Sequence, residues 1–294
     1  MGADFVAERA QIEQRLDDIC STYLRDLPAP IADAVQYGLK SPGKRLRPLL
    51  LLFAYRAAGG ARDATMLACA PEVIHAYSLI HDDLPCMDDD DVRRGRPAVH
   101  KVYGSRTAIL AGVAMIPLAA RVVRDSARAM SISDDVSRRV LDALLEAGGK
   151  SGMIGGQLRD LTGEGLSLAL DELEAIHSAK TGALIVGSLR MGALAAGAES
   201  SQQAALERYG RSIGLAFQIM DDVLDVTSTT TAMGKTAGRD AVLGKSTYPA
   251  LLGVPGAQSR ALALIDEGLR SLSEQKLLTQ ELSQVANFMV ARTS

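Results

Sequence analysis

The sequence predicts an all-α protein in which about ten or more helices form one domain spanning residues 1–294. Apolar residues recur at helical spacing almost everywhere in the chain. Alternation of apolar and polar residues, which is typical of half-buried strands, is hard to find. No Pro/Ser-rich linker divides the chain, and no internal repeat of fixed period is present. These observations favour a single helical bundle.

The same periodicity places the helices in order along the chain. The breaks fall where Pro and Gly cluster, as in KSPGK at 40–44, LPCMD at 84–88 and TGEG at 162–165. The predicted helices are 4–20, 29–39, 46–59, 62–83, 104–127, 134–150, 171–197, 202–226, 257–270 and 275–291.

One long segment, 227–249, has no helical pattern. Loops longer than about 15 residues inside a compact domain are usually functional or disordered. This segment carries Lys235, Arg239, Asp240 and Lys245 among Gly and Thr residues. We interpret it as a flap that brings cations to a site.

Composition excludes several classes of protein. Hydrophobic residues make up 47% of the chain and charged residues 23%, as in globular proteins. The net charge of −3 and the lack of a basic stripe argue against nucleic-acid binding. The N-terminus lacks the apolar region of a signal peptide, and the three cysteines, without CxxC spacing, fit the reducing cytoplasm. The longest apolar stretches, 107–120 and 182–198, contain Pro117 and Arg190 and predict no membrane span.

Six aspartates crowd the stretch from Asp82 to Asp91. The apolar pattern of 62–83 runs directly into Asp82, and Pro85 cannot continue a helix. We therefore predict that Asp82 ends a helix and that Asp88 returns from the turn beyond it. On its charge alone, the stretch is either a solvated acidic loop or a cation site, because a carboxylate at a helix C-terminus is disfavoured by the dipole.

A second aspartate cluster lies in FQIMDDVLD, 217–225. Asp221 and Asp225 are four residues apart and project from one helix face, with Phe217 and Gln218 one turn earlier. Their neighbours are apolar, and carboxylates on a buried helix need partners. A pair of such clusters argues against a solvated loop. The spacing lacks the Gly and the closing Glu of an EF-hand, and Mg²⁺ fits better.

Basic residues supply candidate anion sites. Lys44, Arg45 and Arg47 surround the start of a predicted helix, where free backbone N–H groups favour anions. Arg93 and Arg94 directly follow the first aspartate cluster.

Two further polar residues lie on apolar helices. Lys180 is either a surface residue with an extended side chain or a site residue. His75, two turns before Asp82, is either a satisfied core residue or part of the site. The GK pairs at 149–150, 234–235 and 244–245 lack the Gly five residues earlier that a phosphate-binding P-loop needs, so nucleotide binding is not predicted.

Taken in order, several motifs make the chain resemble the trans-isoprenyl diphosphate synthase family. They are GKRLRP (43–48), HAYSLIHDDLPCMDDDDVRRGRP (75–97), GGQLRD (155–160), KTG (180–182), FQIMDDVLD (217–225), GKTAGRD (234–240) and GKSTYP (244–249). The four residues between Asp83 and Asp88 resemble the expanded first motif of bacterial farnesyl diphosphate synthases.

The resemblance implies a fold, a reaction and a partner. It implies helices around a central cavity, the isoprenoid synthase type, with the two Asp motifs facing each other across its mouth. It also implies a cytoplasmic homodimer that joins isopentenyl diphosphate to an allylic diphosphate. The small residues of 183–196 fit either a close-packed core or a dimer face.

The resemblance further implies residue roles. Three Mg²⁺ ions would bind together with the allylic diphosphate, two of them at Asp82 and Asp88 and one at Asp221, with Asp83, Asp222 and Asp225 completing the metal-site residues. Catalytic roles fall to Lys180, Thr181, Gln218 and Lys235. Isopentenyl diphosphate would bind Lys44, Arg45, Arg47, His75 and Arg94. The allylic diphosphate would bind Arg93, Lys180 and Lys235, and Lys245 is also expected at the substrates.

Product length depends on the helix before Asp82. Tyr77 and the expanded motif resemble enzymes that stop at C15, farnesyl diphosphate, whereas the small Ser78 leaves a C20 product, geranylgeranyl diphosphate, open. A terpene cyclase is a further alternative, although it needs no isopentenyl site. A non-catalytic subunit is another, although such a chain is expected to have lost some of its aspartates.

Overall fold

The computed structural model describes residues 5–163, 165–166, 168–227 and 246–291, and these are almost entirely helical, as predicted. Lys235 and Lys245, with most of the segment 227–249, lie outside the described residues. The helices are α1 Val6–Tyr23, α2 Ala29–Leu39, α3 Leu46–Ala57, α4 Thr65–Asp82, α5 Val99–Tyr103, α6 Ser105–Ala129, α7 Asp134–Gly148, α8 Met153–Thr162, α9 Leu170–His177, α10 Ala183–Ala196, α11 Ser200–Thr227, α12 Tyr248–Glu274 and α13 Gln280–Val290, with a π-helical turn at Ser178–Gly182.

The chain divides into two compact units. The first comprises Met1–Leu52 with Ala61–Asp142, and the second comprises Phe53–Gly60 with Ala143–Ser294. That one domain spans residues 1–294 stays a prediction.

Helix α4 is the core helix of the first unit. It packs against α1, α2 and α6, and most of its residues are buried. It ends at Asp82, the residue that the sequence predicted from Pro85. The chain then turns and forms a short antiparallel hairpin, β1 Val92–Arg93 with β2 Arg96–Pro97, which the sequence did not predict.

Helix α11 is the core helix of the second unit. It packs against α10, α12, α13 and the π-helical turn. Tyr209 at its centre is fully buried, and its hydroxyl donates to the Leu282 carbonyl oxygen at 2.7 Å. The second aspartate cluster therefore lies near the end of a helix whose path is fixed by core packing.

Several elements differ from the predicted ones. The predicted helix 171–197 is interrupted by the π-helical turn, and α8 was missed because its two glycines lower helix propensity. Helix α12 begins earlier than predicted, because it continues across a kink at Gly253 (φ 68°) just before Pro255.

One described helix, α6, is long and apolar enough to cross a membrane by length and composition. It packs against α2, α4 and α5, and 44% of its most apolar window is buried, so part of its apolar surface is used in packing against other helices. Length and composition are therefore weak grounds for a span, and no membrane span is evident in the described residues.

Candidate functional site

The first aspartate cluster is arranged by backbone hydrogen bonds. Asp82 is the last residue of α4, and the Asp88 N–H donates to the Asp82 carbonyl oxygen at 2.8 Å. The Asp89 N–H donates to the Leu84 carbonyl oxygen at 3.1 Å. The turn thus brings Asp82 and Asp88 together as predicted, both of them half-buried. Half-buried carboxylates on residues that a backbone hydrogen bond holds together suit Mg²⁺, which takes one or two protein carboxylates and keeps its other positions for water and phosphate.

Asp83, the second residue of the same pair, has a different environment. It is 2% exposed, and its Oδ1 accepts a hydrogen bond from Arg93 Nε at 2.8 Å. Arg93 Nη2 also donates to Asp90 Oδ2 at 2.9 Å. Burial raises the pKa of Asp83, and the Arg93 guanidinium offsets only part of that rise. In this arrangement Asp83 fixes Arg93 beside the cluster.

Arg45 is the best-bonded of the basic residues before α3. Its Nε donates to Glu13 Oε1 at 2.7 Å, its Nη1 to Glu72 Oε1 at 2.9 Å and its Nη2 to the Ser41 carbonyl oxygen at 2.9 Å. The residue is 3% exposed and has a left-handed backbone, with φ 51°. Buried ion pairs of this kind need both partners. Arg45 therefore fixes the turn that carries Lys44 and leads into α3, where Arg47 lies, and its direct contact with a substrate stays a prediction.

Arg47 and Arg94 form a group of positive charge around His75. Arg94 Nη2 lies 3.3 Å from His75 Nε2, and Arg47 Nε is buried without a hydrogen-bond partner among the described residues. Burial, with Arg94 nearby, lowers the pKa of Arg47 to about 10 against the opposing charge of Glu72. Burial also lowers the pKa of Arg94.

His75 at the centre of this group is expected to be neutral. Burial and the neighbouring arginines hold the pKa of His75 well below its usual value. Gly43 permits the arrangement, because a Cβ there would lie 2.6 Å from Arg94 Nη1. We call Arg47, His75 and Arg94 the arginine–histidine group. Arg47, whose Nε is buried without a partner among the described residues, and the more exposed Arg94 carry like charges that repel each other, and an anion bound beside them would relieve this repulsion.

In the second unit, Lys180 lies on the π-helical turn. Its Nζ donates to Asp160 Oδ2 of α8 at 2.6 Å, which decides against a surface lysine with an extended side chain. Gly156 makes this approach possible, because a Cβ on Gly156 would collide with the backbone of Lys180. Thr181 is half-buried on the same turn.

The second aspartate cluster, like the first, combines a half-buried aspartate with buried ones. Asp221 is half-buried, whereas Asp222 and Asp225 are each 5% exposed. Asp222 Oδ2 accepts the Tyr248 N–H at 2.9 Å, which anchors the start of α12. Asp221 is therefore the member of this cluster best placed to bind a metal ion, and metal binding by Asp222 or Asp225 stays a prediction.

Gln218 is held by a residue that the sequence did not single out. Its Nε2 lies 3.4 Å from His177 Nδ1, and the His177 ring stacks on Tyr248 with centroids 5.9 Å apart. His177 Nε2 lies 3.9 Å from Asp222 Oδ2. A neutral imidazole with its proton on Nε2 accepts from Gln218 and faces the carboxylate with its N–H. The only sequence signal for His177 was its place three residues before Lys180.

Comparisons with known proteins agree with a site that combines aspartate clusters and basic residues. The sequence matches the family described as Polyprenyl synthetase over residues 28–284. It is 43% identical to a farnesyl diphosphate synthase of Escherichia coli (strain K12), over 98% of this chain and 99% of that protein. It is 43% identical to a chloroplastic geranylgeranyl pyrophosphate synthase of Catharanthus roseus, over 84% of this chain and 69% of that protein. A solved geranyltransferase of Helicobacter pylori, complexed with magnesium and isoprenyl diphosphate, has a TM-score of 0.81 at 31% identity and covers 97% of this chain and 95% of its own.

Proposed function

Because the chain belongs to the polyprenyl synthetase family, we propose that it is a prenyltransferase that makes farnesyl diphosphate. It condenses isopentenyl diphosphate head-to-tail with dimethylallyl diphosphate and then with geranyl diphosphate. The full-length similarity to a farnesyl diphosphate synthase supports the C15 product over the C20 alternative, which has relatives of similar identity but lower coverage.

One observation carries the two-substrate reaction. Arg93 and Arg94 are adjacent in sequence, yet their contacts differ. Arg93 donates hydrogen bonds to Asp83 and Asp90 of the first aspartate cluster, whereas Arg94 contacts His75, and its charge acts on Arg47. Two anion sites of different character therefore lie side by side. The site at Arg93 includes carboxylates and suits a diphosphate that arrives with metal ions. The arginine–histidine group suits a diphosphate that binds without them. A terpene cyclase needs only the first of these sites.

Magnesium is the metal that fits the carboxylate ligands, and a solved relative carries it. In our proposal, Asp82 and Asp88 hold two Mg²⁺ ions and Asp221 holds a third, together with the allylic diphosphate. When bound, the ions stabilise the charge that develops on the departing diphosphate.

The residues of the chain do the remaining work. Arg93, Lys180 and Lys235 clamp the allylic diphosphate, because fixed cations stabilise developing negative charge. Lys44, Arg47, His75 and Arg94 hold isopentenyl diphosphate. The carbon–oxygen bond of the allylic diphosphate breaks and leaves a delocalised allylic cation. The double bond of isopentenyl diphosphate then attacks this cation, and the proton that is lost passes to the departing diphosphate. Gln218 and Thr181 orient the reacting carbons, and apolar walls keep water from the cation.

The test uses the adjacent arginines as a matched pair. Purified protein is incubated with Mg²⁺, labelled isopentenyl diphosphate and an allylic diphosphate, and the products are separated by length. We expect C15, with Arg94→Gln raising KM for isopentenyl diphosphate about tenfold or more and Arg93→Gln raising KM for the allylic substrate similarly, since each loses a charge-assisted hydrogen bond. Absence of any elongated product refutes the reaction. A rise in the same KM in both variants refutes the two-site assignment.

A homodimer is the assembly we propose. Ile109, Leu110 and Val113 of α6 are large apolar residues that are 41%, 52% and 53% exposed. They lie along one exposed face of one helix, which is typical of a surface that a second copy covers. Sedimentation of the wild type should show two chains, and Leu110→Glu should show one. Leu278→Glu, at an apolar residue exposed in the second unit, is the control and should leave two.

A further inference from the structure

The three aspartates after Asp88 bind neither metal nor substrate in the proposed reaction, and the hairpin determines where one of them, Asp91, lies. Strands β1 and β2 pair Val92 with Pro97, and the Ala98 N–H donates to the Asp91 carbonyl oxygen at 2.9 Å. The closed hairpin therefore brings Asp91 back beside the start of α5, which carries His100. Asp90 is used differently, because it binds Arg93.

His100 is a buried polar residue with one unsatisfied ring nitrogen. It is 8% exposed, and its Nδ1 has no hydrogen-bond partner among the described residues. A buried polar atom left in this way destabilises the folded chain. A ring nitrogen of His100 and carboxylate oxygens of Asp89 and Asp91 all lie within 4.8 Å of one another. No hydrogen bond or ion pair described for this part of the chain joins His100 to either aspartate.

We propose that Asp89, Asp91 and His100 bind a divalent transition-metal ion such as Zn²⁺, at a site separate from the magnesium ligands. Metal–ligand bonds of about 2.0–2.2 Å place ligand atoms no more than about 4 Å apart, so a group whose atoms lie within 4.8 Å of one another differs from a bound site by little at most. Asp89 and Asp91 are exposed and can close that difference by side-chain rotation. An imidazole with two carboxylates suits Zn²⁺, whereas Mg²⁺ prefers oxygen ligands alone.

The ammonium group of Lys101 would compete with a metal ion for Asp91. Lys101 Nζ lies 3.0 Å from Asp91 Oδ1, and both side chains are largely exposed. An exposed ion pair of this kind contributes little to stability. A divalent ion bound by three ligands therefore displaces the ammonium readily, and a chain without that ammonium binds the ion more tightly.

The site has a structural consequence for the hairpin. Asp89 and Asp91 precede it and His100 follows it, so one ion ties its two ends together. The hairpin carries Arg93 and Arg94, one for each of the proposed anion sites. The bound ion thus holds the loop that presents both arginines, without taking part in the reaction.

The experiment measures binding of Zn²⁺ alone, so its outcome does not depend on the proposed reaction. Tag-free protein with Cys86→Ser, which removes an exposed thiol in the same loop, is titrated calorimetrically with Zn²⁺ in a large excess of Mg²⁺. We expect one Zn²⁺ per chain, about tenfold or more weaker binding in Asp89→Asn and His100→Gln, and tighter binding in Lys101→Met. Asn tolerates the left-handed backbone of Asp89 (φ 51°), so Asp89→Asn should fold normally.

A spectroscopic arm identifies the nitrogen ligand. Mn²⁺ bound under the same conditions is examined by electron spin-echo modulation, in which a coordinated imidazole nitrogen gives a coupling that oxygen ligands cannot give. The coupling should be present in the parent protein and absent in His100→Gln. No Zn²⁺ binding in excess Mg²⁺, or equal binding by the parent, Asp89→Asn and His100→Gln, overturns the proposal.

Discussion

Each aspartate cluster combines a half-buried aspartate with a buried aspartate that is bonded within the protein, but the backbone positions the residues differently in the two clusters. In the first, Asp82 ends a helix and the chain makes a turn to bring Asp88 back. In the second, Asp221, Asp222 and Asp225 all lie within α11. In both, the first aspartate of the DD pair is half-buried and the second is buried and bonded within the protein, Asp83 to Arg93 and Asp222 to the Tyr248 N–H.

This shared division follows from helix geometry. Consecutive residues on an α-helix point about 100° apart, so two adjacent carboxylates cannot both face the same cavity. One carboxylate is presented to the site, while its neighbour enters the packed interior and must be satisfied there. A DD pair is therefore one site carboxylate and one anchoring carboxylate. The anchor in each case fixes a different part of the chain.

The largest expected effect distinguishes the two kinds of aspartate. We expect Asp82→Asn and Asp221→Asn to lower kcat roughly 10²–10³-fold, because each removes a charge that holds a metal ion against the leaving diphosphate. Their thermal midpoints should be unchanged or slightly raised, since a carboxylate presented to the site contributes little to folding. Steady-state kinetics at saturating Mg²⁺ and thermal unfolding measure both quantities. Wild-type rates in either variant would remove that aspartate from the site.

The anchoring aspartates should show the opposite pattern in stability. Asp83→Ala leaves the Arg93 guanidinium without its buried partner, and we expect a loss of about 2–3 kcal/mol in the free energy of unfolding, below the value for a fully buried pair because Arg93 is 30% exposed. Asp222→Ala loses one hydrogen bond to a backbone N–H and should cost about 1–2 kcal/mol. Urea unfolding checks both. A smaller loss in Asp83→Ala than in Asp82→Ala would contradict the anchoring role.

Features of the fold and the site that depend on neighbouring residues in the chain could be predicted from the sequence, whereas those that depend on residues of other helices could not. Pro85 acts on its own helix, so the end of α4 at Asp82 and the return of Asp88 were predicted and are confirmed. The different environments of Arg45 and Arg47 were not predicted, because they depend on Glu13 and Glu72 of other helices. His177 was missed because its partner Gln218 is 41 residues away in the chain. Helix periodicity reports which face is apolar, but not which polar residue of that helix meets which partner.

One cation from each of the two units, Arg47 and Lys180, gives the next comparison. Lys180 is paired with Asp160, whereas Arg47 lacks a partner for its Nε among the described residues and has a pKa lowered by burial. A lowered pKa in a base means that folding disfavours its charged form, so removing that charge stabilises the ligand-free protein. We therefore expect Arg47→Met to raise the thermal midpoint by a few degrees and Lys180→Met to lower it.

Both substitutions should also reduce activity, and the kinetics separate the substrates. Arg47→Met should raise KM for isopentenyl diphosphate about tenfold, and Lys180→Met should act on the allylic substrate. A diphosphate ligand should raise the midpoint of the wild type more than that of Arg47→Met, because only the wild type gains a partner for this charge. A lowered midpoint in ligand-free Arg47→Met would show that Arg47 has a structural partner instead.

The smallest expected effect concerns the residue one turn before each DD pair. That position is Ser78 before Asp82 and Phe217 before Asp221. Ser78 is 8% exposed, and its hydroxyl donates to the His75 carbonyl oxygen at 2.9 Å, so the side chain is small and directed back to its own helix. Tyr77 beside it packs edge-on against His81, with ring centroids 5.0 Å apart.

Ser78→Phe gives the first cluster the side chain that the second has at this position. If the growing tail runs along α4, the added ring blocks it, and the product should shift from C15 toward C10 with little change in the rate of the first condensation. Tyr77→Phe, which keeps the ring and removes only the hydroxyl, is the matched control and should leave the product at C15. Chromatography of the hydrolysed products measures the ratio. An unchanged C15 product in Ser78→Phe would mean that the growing tail does not run past Ser78. The small size of Ser78 would then give no support to the C20 alternative.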